Sequence, residues 1–244
     1  MNIIKKFFEL FVYTLFPKIC FYCKKPIDYF SSQPLCNSCI KQIKFIDGLV
    51  CEKCGLPLYS GGKFCYNCKK HDRKIYFDFI RGVVEYKEPI KTLIHEFKYN
   101  QRTYLISFLE KILINGYEKN FNNIKIDIIC CVPMHKIKKF LRGYNQAELL
   151  TEKLSKNFNL NFIPDLLIRK KYTVSQFKLS QQKRIENVKD AFEVNHKFKD
   201  IIKGKNILII DDVCTTAETI NQCAKVLKGY KIKNVFGLVL ARDV

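Results

Sequence analysis

The stretch Ile207-Leu208-Ile209-Ile210-Asp211-Asp212-Val213-Cys214-Thr215-Thr216-Ala217-Glu218-Thr219 combines two side-chain types that suit a sugar phosphate. Adjacent carboxylates, Asp211 and Asp212, match the two hydroxyls of a diol. The hydroxyl residues Thr215, Thr216 and Thr219 then lead into a helical pattern, and free backbone N–H groups at a helix start favour an anion. For these groups to act together, the acids must stand at the end of a strand and the hydroxyls in the turn behind it. The four apolar residues Ile207 to Ile210 read as a strand buried on both faces that stops at the acids. Thr219 to Lys228 reads as a helix through Ile220, Ala224, Val226 and Leu227. The plainer reading is an ordinary strand-loop-helix whose Asp and Thr residues only cap the helix.

A second constellation is Cys20-x2-Cys23-x12-Cys36-x2-Cys39 followed by Cys51-x2-Cys54-x10-Cys65-x2-Cys68. Each Cys-x-x-Cys turn presents two thiolates to one metal, and two turns complete a tetrahedral site. Structural zinc is expected, one or two ions, with neighbouring pairs sharing a metal and cross-bracing as the alternative. Two filled sites add eight thiolate charges and four from zinc, taking the formal charge from +20 to about +16. A redox dithiol fits less well, since it needs only one pair within a βαβ pattern. The segment is too short for a core of its own, so metal takes that role. Cys130, Cys131 and Cys223 read as small core residues. Cys214, near a helix start, has a setting that lowers a thiol pKa, against simple loop filling.

At 244 residues the chain has room for one substantial core plus a small module, and 48% apolar residues make it globular. A net charge of +20 favours polyanions such as nucleic acid, nucleotides or an anionic membrane surface. Lysine fills 36 of the 43 cationic positions, so the seven arginines are the more informative cations. The positively flanked apolar N-terminus runs into Pro17 and Cys20 without a small-residue cleavage site, which with paired cysteines points to a reduced, cytoplasmic protein. Ile3 to Phe16 reads as an apolar helix with a narrow polar strip, docked on the protein itself, lying in the interface at the inner face of the membrane, or packed on a membrane-bound partner. No stretch of about 18 apolar residues exists to span a bilayer. An ATPase is excluded by the lack of a Gly-x4-Gly-Lys-Ser/Thr loop.

Phe79 to Tyr86 reads as a strand, Ile90 to Phe97 and Tyr104 to Ile114 as helices, and Ile126 to Val132 as a second buried strand. A basic loop, Lys136 to Tyr144, precedes a helix from about Gln146 to Lys156; Asn161 to Thr173 is strand-like or irregular, Gln181 to Lys189 helical, and Val235 to Ala241 the final strand. Strands alternating with helices indicate a parallel α/β sheet. Ligands of such sheets sit beyond the carboxyl ends of strands, which selects the Asp211–Thr219 and Pro133–Tyr144 segments. The expected units are 1–17, an apolar helix; 18–75, a double four-cysteine module; and 76–244, the sheet domain.

The strand followed by Asp-Asp-Val-x-Thr-Thr-x-x-Thr resembles the phosphoribosyl pyrophosphate (PRPP) motif of type I phosphoribosyltransferases. That resemblance implies their fold, PRPP with Mg²⁺ as ligand, and a catalytic role for Asp211 and Asp212, which would hold the ribose hydroxyls. Val213 would belong to the PRPP site, the loop of Cys214, Thr215, Thr216, Ala217 and Thr219 would hold the 5′-phosphate, and His135, Lys136, Arg142 and Gly143 the pyrophosphate. One departure is Ala217, where the family usually has Gly; a left-handed Ala costs about 1–2 kcal/mol.

The resemblance narrows with Tyr86, Leu93, Ile94, Phe97 and Lys98, then Arg142-Gly143-Tyr144-Asn145-Gln146-Ala147, Arg169, Gln176, Leu179, Arg184, Asn187 and Ala191-Phe192. Together with the cysteine module these are similar to the ComF/GntX family over nearly the whole chain. The family implies a competence-associated cytoplasmic protein that acts on incoming single-stranded DNA, or helps cells use DNA, beside a membrane DNA channel and a helicase. Arg142 and Arg169 read as phosphate forks, Arg184 equally as a structural ion pair. Phe21, Tyr22, Phe64, Tyr66 and Tyr144 offer rings for base stacking or cover for the metal sites. Two functions stand: a DNA-coupling protein with PRPP or a nucleotide as ligand, and an active Mg²⁺-dependent phosphoribosyltransferase acting on a base or amine.

Overall fold

The two four-cysteine segments fold as one repeated unit in this computed structural model, which describes residues 17–28, 30–70, 73–172 and 188–244. Outside the described residues lie the expected helix Ile3–Phe16, the residues Gln176, Leu179, Arg184 and Asn187, and most of the expected helix Gln181–Lys189. In each unit the first cysteine's amide bonds a carbonyl beyond the turn, Cys20 to Lys25 and Cys51 to Leu56, both at 2.8 Å. The residue after the second cysteine has positive φ, 62° at Lys24 and 69° at Gly55. The third cysteine precedes a one-turn helix, α1 (Asn37–Ile40) after Cys36 and α2 (Tyr66–Lys69) after Cys65. Gly55 meets a further demand: a Cβ there would lie 2.5 Å from the Ile80 carbonyl oxygen, because this turn presses on a sheet strand.

That strand, β1 (Phe79–Glu85), belongs to a four-stranded sheet with β2 (Ile128–Cys131), β5 (Asn206–Cys214) and β6 (Asn234–Arg242), in the order β1-β6-β5-β2. All its pairings are parallel. A separate antiparallel pair joins β3 (Leu167–Arg169) to β4 (Phe192–Val194). The described helices of the sheet domain are α3 (Ile90–Tyr99), α4 (Ile106–Phe121), α5 (Lys136–Arg142), α6 (Gln146–Phe158) and α7 (Glu218–Lys228). The expected parallel α/β sheet with an N-terminal four-cysteine module is the observed fold.

Side-chain alternation divides the core. Leu208 and Ile210 of β5 pack with α3, α4 and α6 on one face, where Ile90, Leu93, Ile94 and Phe97 of α3 are all buried at helical spacing. Ile207 and Ile209 pack on the other face with Ile220, Cys223, Ala224 and Leu227 of α7 and with β3 and β4. Each large apolar side chain buried this way contributes about 1.5–3 kcal/mol. Cys20 and Cys39 join the first core, whereas Cys51, Cys54 and Cys65 join the second. Cys130 and Cys223 are buried core residues of the second core, and Cys131 is buried too.

Three elements differ from the sequence reading. β5 runs through both acids to Cys214 instead of stopping at Asp211, because β6 continues beside it, pairing Asp211 with Val239 and Cys214 with Arg242. Lys136–Tyr144 is mostly helix, α5, whose Lys, Leu and Arg content favours helix; Gly143 ends it at φ 85°. The helix expected from Tyr104 starts with a 3-10 turn, Thr103–Leu105, and α4 then runs on to Phe121.

Candidate functional site

β2 and β5 are neighbours, so the segments that follow them meet at the carboxyl edge of the sheet. A cleft of about 170 Å³ opens there, bounded by Asp211, Asp212, Val213 and Thr219 on one side and by Lys138, Arg142, Gln146 and Arg169 on the other, with Lys98 reaching in from α3. Asp212 is buried and its Oδ1 lies 2.9 Å from Lys98 Nζ. The Asp212 amide donates to Asp211 Oδ1 at 2.9 Å. Burial lifts the Asp211 carboxyl and the Asp212 charge adds to the lift; Lys98, the Asp212 amide and Arg169 offset part of it, leaving Asp211 at about 7.

The cationic wall is held by its own partners. Asn145 caps α6 by accepting from the Ala147 amide at 3.2 Å and donates to the Val132 carbonyl at 3.1 Å, which ties the helix start to the end of β2. Arg142 donates to Gln146 Oε1 at 2.7 Å and its guanidinium sits 5.0 Å from the Tyr99 ring centroid. Gln146 Nε2 is buried without a hydrogen-bond partner among the described residues, an unspent donor beside the cleft. Lys138 is held below the ordinary lysine range by burial, with Arg169 and Arg142 adding to the effect. The arrangement, two carboxylates facing clustered cations, suits a ligand that carries both hydroxyls and anionic groups.

Of the residues expected in the site, the cleft brings together Asp211, Asp212, Val213, Thr219 and Arg142. His135 instead caps α5, its Nδ1 accepting from the Ile137 amide at 3.3 Å. Lys136 is exposed on α5, and Gly143 closes that helix. Cys214 is buried at the end of β5, and burial pushes its thiol up, the reverse of the helix-start effect. Ala217 does adopt the left-handed conformation, at φ 63°. Thr215 and Thr216 line a separate cavity of about 230 Å³ with Cys54, Cys65, Arg73 and Arg242. Arg242 is buried, donates to the carbonyls of Cys214 (3.0 Å) and Thr215, and contacts Cys214 Sγ at 3.3 Å. Arg73 donates to the Thr216 carbonyl at 2.7 Å. Sequence reasoning gave no site role to Lys98, Gln146, Arg73 or Arg242. Lys98 and Gln146 stood among the family positions, but nothing local to Arg73 or Arg242 predicts that they hold the threonine turn.

The cysteines separate into two groups of neighbouring pairs, Cys20, Cys23, Cys36 and Cys39, and Cys51, Cys54, Cys65 and Cys68, with all four Sγ atoms of each group within 4.8 Å of one another. Four soft thiolates at tetrahedral spacing fit zinc, and a closed all-cysteine set leaves no open position for catalysis. Among the aromatics considered for stacking, Phe21 and Phe64 pack against the cores, and Tyr144 donates its hydroxyl to the Phe97 carbonyl. Tyr22 and Tyr66 are exposed.

Fold and cysteine geometry together define a parallel α/β protein carrying an N-terminal double zinc ribbon, and the family model described as a double zinc ribbon domain matches residues 11–69. Competence protein F of Haemophilus influenzae is 29% identical over 226 residues, 91% of this chain and 96% of that protein. The DNA utilization protein YhgH of Escherichia coli K12 is 27% identical over 86% of this chain and 91% of its own length. Competence protein ComFC of Bacillus subtilis is 27% identical over 86% of this chain and 85% of its own length, so the chain is similar to ComF-type proteins along most of its length. A crystal structure of adenine phosphoribosyltransferase aligns at 17% identity over 57% of this chain and 72% of that one, with a TM-score of 0.36, an overlap that carries no argument about ligand or chemistry. Among the described residues no helix is long and apolar enough to cross a membrane.

Proposed function

We propose that this protein handles single-stranded DNA in the cytoplasm, in natural transformation or DNA utilisation, and that its cleft takes PRPP with Mg²⁺. The observation that carries the biological role is the likeness to competence protein F, which runs through both the zinc ribbon and the sheet. Support for a polyanion comes from the charge, still about +16 with both zinc sites filled. Support for PRPP comes from carboxylates and cations facing each other across the carboxyl ends of β2 and β5. In this reading Asp211 and Asp212 accept hydrogen bonds from the ribose hydroxyls, and the Cys214–Thr219 segment, whose Thr219 reaches the cleft, holds the 5′-phosphate. Lys138 and Arg142, on the segment that holds His135, Lys136 and Gly143, face the pyrophosphate. Bound Mg²⁺ would neutralise part of the diphosphate charge. A helicase or membrane DNA channel is the expected partner, with residence at the inner face of the membrane.

The test is calorimetric titration of PRPP and Mg²⁺ into zinc-loaded protein, beside a salt series of single-stranded oligonucleotide binding. PRPP binding that is lost in the Asp211→Asn, Asp212→Asn variant, and DNA affinity that falls as salt rises, are the expected results. PRPP binding that is absent or unchanged in the variant sinks the ligand reading, and DNA affinity that is absent or insensitive to salt sinks the polyanion reading.

One observation favours a second reading, an active phosphoribosyltransferase acting on a base or amine. Asp211 lines the cleft next to Asp212, and burial together with that neighbouring charge lifts its carboxyl to about 7, the range that suits a general acid or base. Pyrophosphate release from PRPP with candidate acceptors, absent in the double Asp variant, is its test; equal release from both proteins removes it.

A further inference from the structure

Beside the cleft, to which it contributes Lys138 and Arg142, α5 is a helix with no buried residue. Ile137, Phe140 and Leu141 are 52%, 87% and 70% exposed, and their i, i+3, i+4 spacing puts them on one face. Lys136, Lys138, Lys139 and Arg142 take the remaining positions, with no acid in the helix. Beside α5 runs a groove of about 420 Å³ lined by Lys98, Tyr99, Lys138, Leu141, Arg142 and Tyr172. Tyr99 and Tyr172 are 52% and 57% exposed, yet each is held by a cation: Arg142 5.0 Å from the Tyr99 centroid and Lys138 5.5 Å from that of Tyr172. His135 adds an edge-on contact to Tyr172 at 5.3 Å. Scattered exposed apolar residues need no explanation, but aromatic rings fixed along one concave, cation-lined path do.

Cations that track a backbone, alternating with half-exposed rings, are what an unpaired polynucleotide requires. A duplex hides its base faces, and a membrane meets a convex apolar surface better than rings set in a groove. We propose that this groove and the outer face of α5 form the track for single-stranded DNA, with bases stacked on Tyr99, Tyr172 and Phe140 and phosphates on Lys136 and on Lys138 and Arg142, the two cations that the groove shares with the cleft. The proposal rests on the single-stranded DNA reading above and gives it a place. The zinc ribbon also has exposed rings, Tyr66 among them with Lys70 5.0 Å from its centroid, and it serves as the comparison surface.

The experiment is fluorescence anisotropy of a labelled oligothymidine with zinc-loaded full-length protein, comparing wild type with Tyr99→Ala, Phe140→Ala, Tyr172→Ala and the ribbon control Tyr66→Ala. Each groove variant is expected to weaken binding at least about fivefold, the lower end for losing one stacked base, while Tyr66→Ala binds as wild type. Circular dichroism and zinc content establish that each variant is folded. Wild-type protein that fails to bind overturns the single-stranded DNA reading itself. Normal binding by all three folded groove variants overturns the groove alone, and so does a Tyr66→Ala loss larger than theirs. The same proteins are mixed with phosphatidylglycerol vesicles; a Phe140→Ala defect there, with DNA binding intact, identifies the face as a membrane surface and overturns the proposal.

Discussion

Lys98 Nζ lies 2.9 Å from Asp212 Oδ1, so the α3 helix is pinned by charge to the carboxyl end of β5. Burial works against the Lys98 ammonium, but Asp212, and behind it Asp211, outweigh that and raise its pKa. Lys98→Met leaves two carboxylates together without a cation, and we expect it to cost about 2–4 kcal/mol in urea unfolding. Adding Asp212→Asn to Lys98→Met should recover at least half of the loss. Single variants within about 0.5 kcal/mol of wild type would mean the pair is a surface contact of no consequence.

Asp211 makes stability depend on pH. Its folded pKa of about 7 stands above the 3.8 of a free carboxyl, so the folded protein binds this proton more tightly than the unfolded chain. That stabilisation is complete below about pH 4 and is lost as pH rises through 7. Asp211→Asn has no such loss, so the Tm advantage of the variant should grow between pH 5 and 7.5 by about 3 °C or more and then level off. Parallel profiles for the two proteins would show that Asp211 is ionised throughout.

Arg242 joins the second cysteine group to the threonine turn, since it bonds the carbonyls of Cys214 and Thr215 while bordering the cavity that Cys54 and Cys65 line. Loss of metal from that group, through Cys54→Ser, should therefore speed hydrogen exchange at residues 214–217 by about tenfold, an opening cheaper by about 1.4 kcal/mol. Cys20→Ser, in the group buried with the other core, should leave those amides unchanged. Equal exchange in both variants would break the link.

Gly116 lets α4 approach the sheet. A Cβ there would lie 2.2 Å from Val83 Cγ2, so Gly116→Ala should destabilise by about 1–3 kcal/mol despite its better helix propensity. Val83→Ala in the same chain should restore part of it, and a stabilised single variant would mean that α4 shifts freely.

The legible parts were those set by local pattern. Ile207–Ile210 announced a strand buried on both faces, α3 announced itself through Ile90, Leu93, Ile94 and Phe97, and the cysteine spacing announced neighbouring pairs. Long-range pairing was not legible. Whether β5 stops at Asp211 depends on β6 lying beside it, and no residue near Asp211 records that. The Lys-rich run after His135 looked like a solvated loop because four of its seven helical residues are cations, and two turns are too short for the spacing of Ile137, Phe140 and Leu141 to stand out. The partners of Asp212, Thr215 and Thr216 come from α3, β6 and the segment after the second ribbon, joined only in space.

The position of β6 bears on how the chain is assembled. It lies between β1 and β5, and it is made after every other described strand. During synthesis β1 therefore has no sheet neighbour, and the second ribbon waits for Arg242, until the last of the described strands is made. Such a topology folds late and through distant contacts, so nascent protein spends time with an unpaired strand edge exposed. Zinc captured early by the cysteine turns gives that waiting N-terminal part a fixed shape before its neighbours arrive.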